Sequence, residues 1–181
     1  KFLTFFAIIC SIGLAPINDA SAAENTVTAT ITVGDRPYGI EFDSANNRMY
    51  VTNYTDDTVS VIDISDNTVT ATITVGDRPY GIAFDSANNR MYVVNSNDDP
   101  VSVIDTSDNT VTATITVGNG PYGIEFDSAN NRMYVANLND DTVSVIDISD
   151  YSVIDANGVA AGTAIAVGNG PRDIEFDSAN N

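Results

Sequence analysis

The chain has 181 residues and a formal net charge of −18, with 7 lysines and arginines against 25 aspartates and glutamates, no histidine and a single cysteine. A surface this acidic repels phosphate backbones, whose recognition rests on cations displacing counterions, so nucleic acid is excluded as a partner. Without histidine, and with its only cysteine at position 10, the chain cannot hold a Ser-His-Asp triad, a Cys-His pair or an imidazole metal site.

At the start, Lys1 precedes the apolar run Phe2 to Ile12, and Ala20-Ser21-Ala22 supplies the small residues that a signal peptidase reads. Residues 1–22 are expected to be a secretory signal peptide, its apolar stretch being shorter than the ~20 residues of a membrane span. Cys10 follows Ile9 rather than a small residue, which argues against a lipid anchor. The expected location is secreted or extracellular, at the cell surface or in the periplasm, with membrane contact only through a retained signal segment. After cleavage no cysteine remains, so packing and strand pairing must supply the stability of 23–181.

Next comes a β-rich segment, 26–33, and then a repeat that dominates the chain. Pro37, Pro79 and Pro121 recur at a spacing of 42 residues and Pro171 follows after 50, with Phe42, Phe84, Phe126 and Phe176 in the same register. In the second repeat the β segments are Tyr80 to Phe84, Arg90 to Asn95, Val101 to Thr106 and Thr110 to Val117, rich in β-branched and aromatic residues. Gly, Pro, Asn and Asp separate them, each with its own turn chemistry, and no sustained 3.6-residue apolar period predicts a helix after the signal segment. Four short antiparallel strands per repeat of this length predict an all-β chain built as a β-propeller of four-stranded blades.

The predicted blades are 37–75, 79–117 and 121–167, with strand D at 26–33 and strand A at 171–176 belonging to two incomplete blades, so that 23–181 is a partial propeller. The eight extra residues of the third repeat fall between Asp150 and Thr163, where they are expected to lengthen the C–D hairpin around Tyr151 to Gly162. Closure takes roughly four or more blades, and open blade edges invite self-association.

Tyr50-Val51-Thr52-Asn53, Tyr92-Val93-Val94-Asn95 and Tyr134-Val135-Ala136-Asn137, together with the Gly-x-x-Pro and Asp-x-x-Asn-Asn turns and a Val-Ser-Val-Ile-Asp strand, resemble the YVTN-type β-propeller repeat. The resemblance covers residues 25–181. It implies a propeller, commonly of seven blades, in secreted or cell-surface proteins of archaea and bacteria, and it implies no single activity.

In a meander the turns alternate between the two ends of the sheet, so the D–A linkers and the B–C loops share one end. That end is expected to bind, through Arg36, Tyr38, Arg78, Tyr80, Tyr122 and Arg172. Loops on a rigid scaffold are common sites of function. The pairs Asp56-Asp57, Asp98-Asp99 and Asp140-Asp141 offer hard oxygen ligands to calcium, although no loop has the full spacing of a dedicated calcium loop. Asn53-Tyr54-Thr55 is an N-glycosylation sequon, but Asn53 also occupies a position that is Asn in every complete repeat, which favours a backbone-bonding role. No catalytic residue and no cofactor other than calcium is expected. The function read from the sequence is a non-catalytic scaffold that binds a protein or glycan at the cell surface. The alternative is the non-catalytic portion of a lactonase-like or quinoprotein-like propeller enzyme.

Overall fold

The computed structural model describes residues 27–97, 100–155, 158, 164–177 and 179. Among them there is no helix, and the strands form three antiparallel meanders. The first contains β1 (Pro37–Asp43), β2 (Arg48–Asn53), β3 (Thr58–Asp63) and β4 (Thr68–Thr74). The second contains β5 (Pro79–Asp85), β6 (Arg90–Asn95), β7 (Pro100–Asp105) and β8 (Thr110–Thr116). In the third, β9 (Pro121–Asp127), β10 (Arg132–Asn137) and β11 (Thr142–Asp147) are followed by two short strands, β12 (Ser152–Ile154) and β13 (Ile165–Ala166), which share the fourth place beside β11.

Aspartate and asparagine set the turns. Asp43 Oδ1 accepts the N–H groups of Ala45 and Asn46 at 2.9 and 3.0 Å, and Asn47 then reverses the chain at φ 57°. Asp85 and Asp127 repeat the arrangement. Between the third and fourth strands, Asp63 Oδ1 accepts from the N and Oγ of Ser65, and Asn67 takes the left-handed conformation. Asn tolerates positive φ better than most side chains, so these positions are chemically matched to their backbone.

The core lies between sheets rather than within one. Tyr50, Val59, Val61 and Ile73 of the first sheet pack against Ile82, Met91, Val93 and Ile104 of the second. Tyr92, Val94, Val101 and Val103 of the second pack in the same way against Ile124, Met133, Val135 and Ile146 of the third. Both faces of the middle sheet are therefore apolar, which accounts for the imperfect hydrophobic alternation of its strands. Ile40 is 58% exposed, whereas its counterparts Ile82 and Ile124 are 8% and 6% exposed, because a neighbouring sheet covers only the latter two. The first strands β1, β5 and β9 run close beside one another, while the fourth strands are farther apart. That splay is the arrangement of propeller blades around an axis along the first strands.

Two expectations change. The eight extra residues do not lengthen the hairpin, because the turn after β11 keeps the usual Asp147 to Tyr151 geometry, with Tyr151 N–H donating to the Asp147 carbonyl at 2.9 Å. The insertion instead splits the outer strand, since Ile154 pairs with Val145 and Ile165 with Val143. An outer strand has a ladder partner on one side only, so interrupting it costs fewer hydrogen bonds than interrupting a central strand. Residues 27–33 and 171–177 carry no strand, where the sequence predicts one at 26–33 and one at 171–176, and residue 26 lies outside the described residues. The signal segment 1–22 lies outside the described residues.

Candidate functional site

The linkers entering each sheet and the loops between second and third strands meet at one end. Tyr54 N–H donates to the Arg36 carbonyl at 3.0 Å, and Asp35 N–H donates to Asp56 Oδ2 at 2.7 Å. Asp57 faces the other way, its Oδ1 accepting the N–H of Arg78 at 3.0 Å in the linker to the second sheet. The third sheet repeats the scheme, with Asn119 N–H on Asp140 at 2.7 Å and Gly170 N–H on Asp141 at 2.8 Å.

Each of these aspartate pairs is thus a two-way clasp, its first member holding its own sheet's incoming linker and its second the outgoing one. The predicted calcium ligands Asp56, Asp57, Asp140 and Asp141 are thereby engaged by backbone N–H groups. Asp98 and Asp99 lie outside the described residues. Among the described residues no three carboxylate, thiol or imidazole groups gather as a metal site.

Asn53 is fully buried, and its Nδ2 donates to Thr58 Oγ1 at 3.0 Å and Ser60 Oγ at 2.9 Å. The Asn53 amide is thus directed at hydroxyls of the third strand rather than at the backbone that the sequence reading expected. Asn95 and Asn137 repeat the role toward Ser102 and Ser144. The recurring Asn ties the end of the second strand to the third.

The tyrosines that open the first strands form a row. Tyr38 stacks on Tyr80 with ring centroids 4.4 Å apart, Tyr80 meets Tyr122 at 4.3 Å, and the Arg172 guanidinium lies 5.9 Å from the Tyr122 ring. This brings four of the six predicted binding-face residues into one line, made possible by the residue after each tyrosine. A Cβ on Gly39 would collide with the Tyr80 carbonyl, and one on Gly81 with the Tyr122 carbonyl, so glycine lets adjacent inner strands approach.

The row borders a groove of ≈ 500 Å³ whose lining includes Glu125 and Glu175. Burial pushes the Glu125 carboxyl above its ordinary range, and repulsion from Glu175, Glu41 and Asp173 pushes it further. Sequence reasoning missed these glutamates, because Ala83 stands at the equivalent place in the second repeat and makes the position look indifferent.

The other two predicted residues, Arg36 and Arg78, gather around Tyr54, their guanidinium carbons lying 4.7 and 5.8 Å from its ring centre. Tyr54 was noticed only as the middle of a sequon. The signal that marks it is a departure from the repeat, since Ser96 and Leu138 occupy the same place in the next two.

No protein-family model and no curated protein matches the sequence. Among solved structures, the chain is similar to hydrazine synthase of Kuenenia stuttgartiensis, with a TM-score of 0.68 and 25% identity over 81% of this chain and 40% of that one. It is also similar to the RRP9 WD40 repeats, with a TM-score of 0.62 and 10% identity over 70% of this chain and 40% of that one. Apo AztD of Citrobacter koseri matches with a TM-score of 0.58 and 15% identity over 74% of this chain and 36% of that one. The chain thus spans at most 40% of the length of these three structures. Three four-stranded meanders, splayed outward from adjacent first strands, and these likenesses together identify the fold as that of a β-propeller, present as an arc that is not closed.

Proposed function

We propose that this protein is a secreted or cell-surface β-propeller of the YVTN type that acts as a non-catalytic binding scaffold. Its ligand is a protein or glycan held at the end of the sheets where linkers and loops meet. The carrying observation is the row Tyr38, Tyr80, Tyr122 and Arg172 along an open groove. Tyrosine gives large amphipathic contact area at low cost in side-chain entropy, and the three tyrosines of the row are set on adjacent strands rather than on loops.

Two features weigh against catalysis. Histidine is absent from the chain, and the acidic groups of the loops are copied from repeat to repeat, whereas a reaction centre needs a unique constellation.

The test is retention of the whole chain on two separate matrices, one carrying cell-envelope polysaccharide and one carrying envelope protein. The wild type should be retained on one of them, and a Tyr122→Ala/Arg172→Ala variant should be retained at least ~10-fold less, about 1.4 kcal/mol. Equal retention of the two proteins would remove the groove from the function. Turnover of lactone substrates by the chain with a divalent metal would replace the scaffold reading with the lactonase-like one.

A further inference from the structure

The repeats are so alike that the few places where they differ single themselves out. At the junction of the first two sheets, Tyr54 stands where the later repeats have Ser96 and Leu138, and Arg36 and Arg78 stand where the later linkers have Gly120 and Gly170. The three departures converge. Both guanidinium groups lie against the Tyr54 ring, Arg36 Nη2 donates to Tyr38 Oη at 3.1 Å, and Tyr54 meets the edges of Tyr38 and Tyr80 at 5.2 and 6.4 Å.

The arginines are held there against a backbone preference. Arg36 and Arg78 have φ of 53° and 57°, the left-handed region that Gly120 and Gly170 occupy at 63° and 62° without a side chain to hinder them. A non-glycine residue in that region costs of order 1 kcal/mol or more, and such strain gathers where a side chain is needed. The backbone at these two positions thus favours glycine, and arginine stands there in spite of it.

The chemistry of the patch selects a ligand class. Exposed guanidinium forks and phenol hydroxyls are donors, while Asp35 beside Arg36 in sequence brings acceptors, the Asp77 carboxylate being engaged by Asn97 and Arg78. Asp77 Oδ1 lies 4.0 Å from Arg78 Nε, and Asp56 and Asp57 accept the N–H groups of the same two linkers, so the patch sits among carboxylates in a chain of net charge −18, which disfavours an anionic ligand. The partly exposed Tyr38, 44% accessible, adds an aromatic surface without a deep apolar pocket. Interspersed fixed donors and acceptors beside aromatic rings suit a neutral polyhydroxylated molecule.

Resting on the scaffold reading above, we infer that Arg36, Tyr54 and Arg78, with Tyr38 and Tyr80, form a subsite for a neutral saccharide unit. The repeats themselves provide substitutions that the fold already accepts: Tyr54→Ser from the second repeat, and Arg36→Gly and Arg78→Gly from the later linkers.

The experiment titrates the whole chain with two oligosaccharide panels. One is neutral, built from glucose, galactose, mannose and N-acetylglucosamine, and the other is matched but carries uronic acids. Binding is read by calorimetry, with thermal melting of every variant alongside. The wild type should bind a member of the neutral panel, and the triple variant should bind it at least ~10-fold more weakly with its melting temperature unchanged or raised. Preference for the uronic-acid panel, or binding by the triple variant within twofold of wild type, overturns the subsite. Binding to neither panel also overturns it, and the scaffold reading then stands or falls separately on the envelope-protein matrix and the Tyr122 and Arg172 variant.

Discussion

At the scale of single residues, the turn after the third strand shows how one substitution is felt in the neighbouring sheet. Tyr50 Oη donates to Asn109 Oδ1 at 2.8 Å, across the interface between the first and second sheets. The next interface should repeat this with Tyr92, but the residue in the place of Asn109 is Tyr151, and buried Tyr92 Oη has no hydrogen-bond partner. Burial raises the Tyr92 phenol well above its ordinary range, with Tyr151 and Asp85 adding to the rise. Tyr151 also sits at φ 62°, where Asn67 and Asn109 are at 60° and 61°. Tyr151→Asn restores a hydrogen bond and a better left-handed residue but gives up the Tyr151 ring's packing against the core and Tyr92. Stability is therefore expected to change by less than about 1 kcal/mol, where a plain loss of packed aromatic surface would cost more. Equilibrium urea denaturation of the two proteins measures it. The position of this mismatch was legible in the sequence as the loss of an Asn from a repeated turn. That the lost Asn served another sheet's tyrosine was not legible, because a sequence repeat displays what recurs without displaying what touches it.

Elements meet most closely at the inner strands. The Gly39, Gly81 and Gly123 positions let each first strand lie against the backbone of the next, and the fourth member of the series is Asp173. The middle contact is bounded on both sides by packed sheets, so it has the least room to adjust. Gly81→Ala should drive a Cβ toward the Tyr122 carbonyl, and overpacking of this kind typically costs about 1–3 kcal/mol. The loss should appear in the same denaturation measurement, and the tyrosine row should shift with it, read by near-ultraviolet circular dichroism. Strand positions were readable because β-branched runs and turn residues alternate cleanly. The split outer strand of the third sheet was not, because Asp150-Tyr151-Ser152 imitates the Asp66-Asn67-Thr68 turn and leaves the insertion point undetermined. Only the pairing of Ile154 with Val145 and Ile165 with Val143 locates it.

For the molecule as a whole, acidity acts in two opposite directions on stability. Glu41 and Glu125 have carboxyls raised above 4.5, chiefly by burial, so folding binds protons there and stability falls as pH rises through their folded values. Asp63, Asp105 and Asp147 are lowered below 3.8 by bonds from Ser65, Ser107 and Ser149, so their contribution is present above that value and lost as pH falls through the folded one. Stability should therefore rise as pH is lowered from 7 toward 4.5, and fall again below 3.8. Melting temperatures across that range give the profile, and Glu125→Gln should flatten its upper limb while leaving the acid limb in place.

By itself the sequence determined the all-β class, the four-stranded repeat, the turn residues and the end of the sheets on which Arg36, Tyr38, Arg78, Tyr80, Tyr122 and Arg172 gather. These follow from local chemistry, namely side-chain period, β-branching, positive-φ tolerance and the alternation of turns. Only the tertiary structure decided that the aspartate pairs clasp linkers, that Asn53 is a buried tie, and that Tyr54 joins two arginines at a sheet junction. Those roles depend on which groups of neighbouring sheets and loops come within hydrogen-bonding or van der Waals distance. Packing sets that distance between residues far apart in the chain, and no local pattern encodes it.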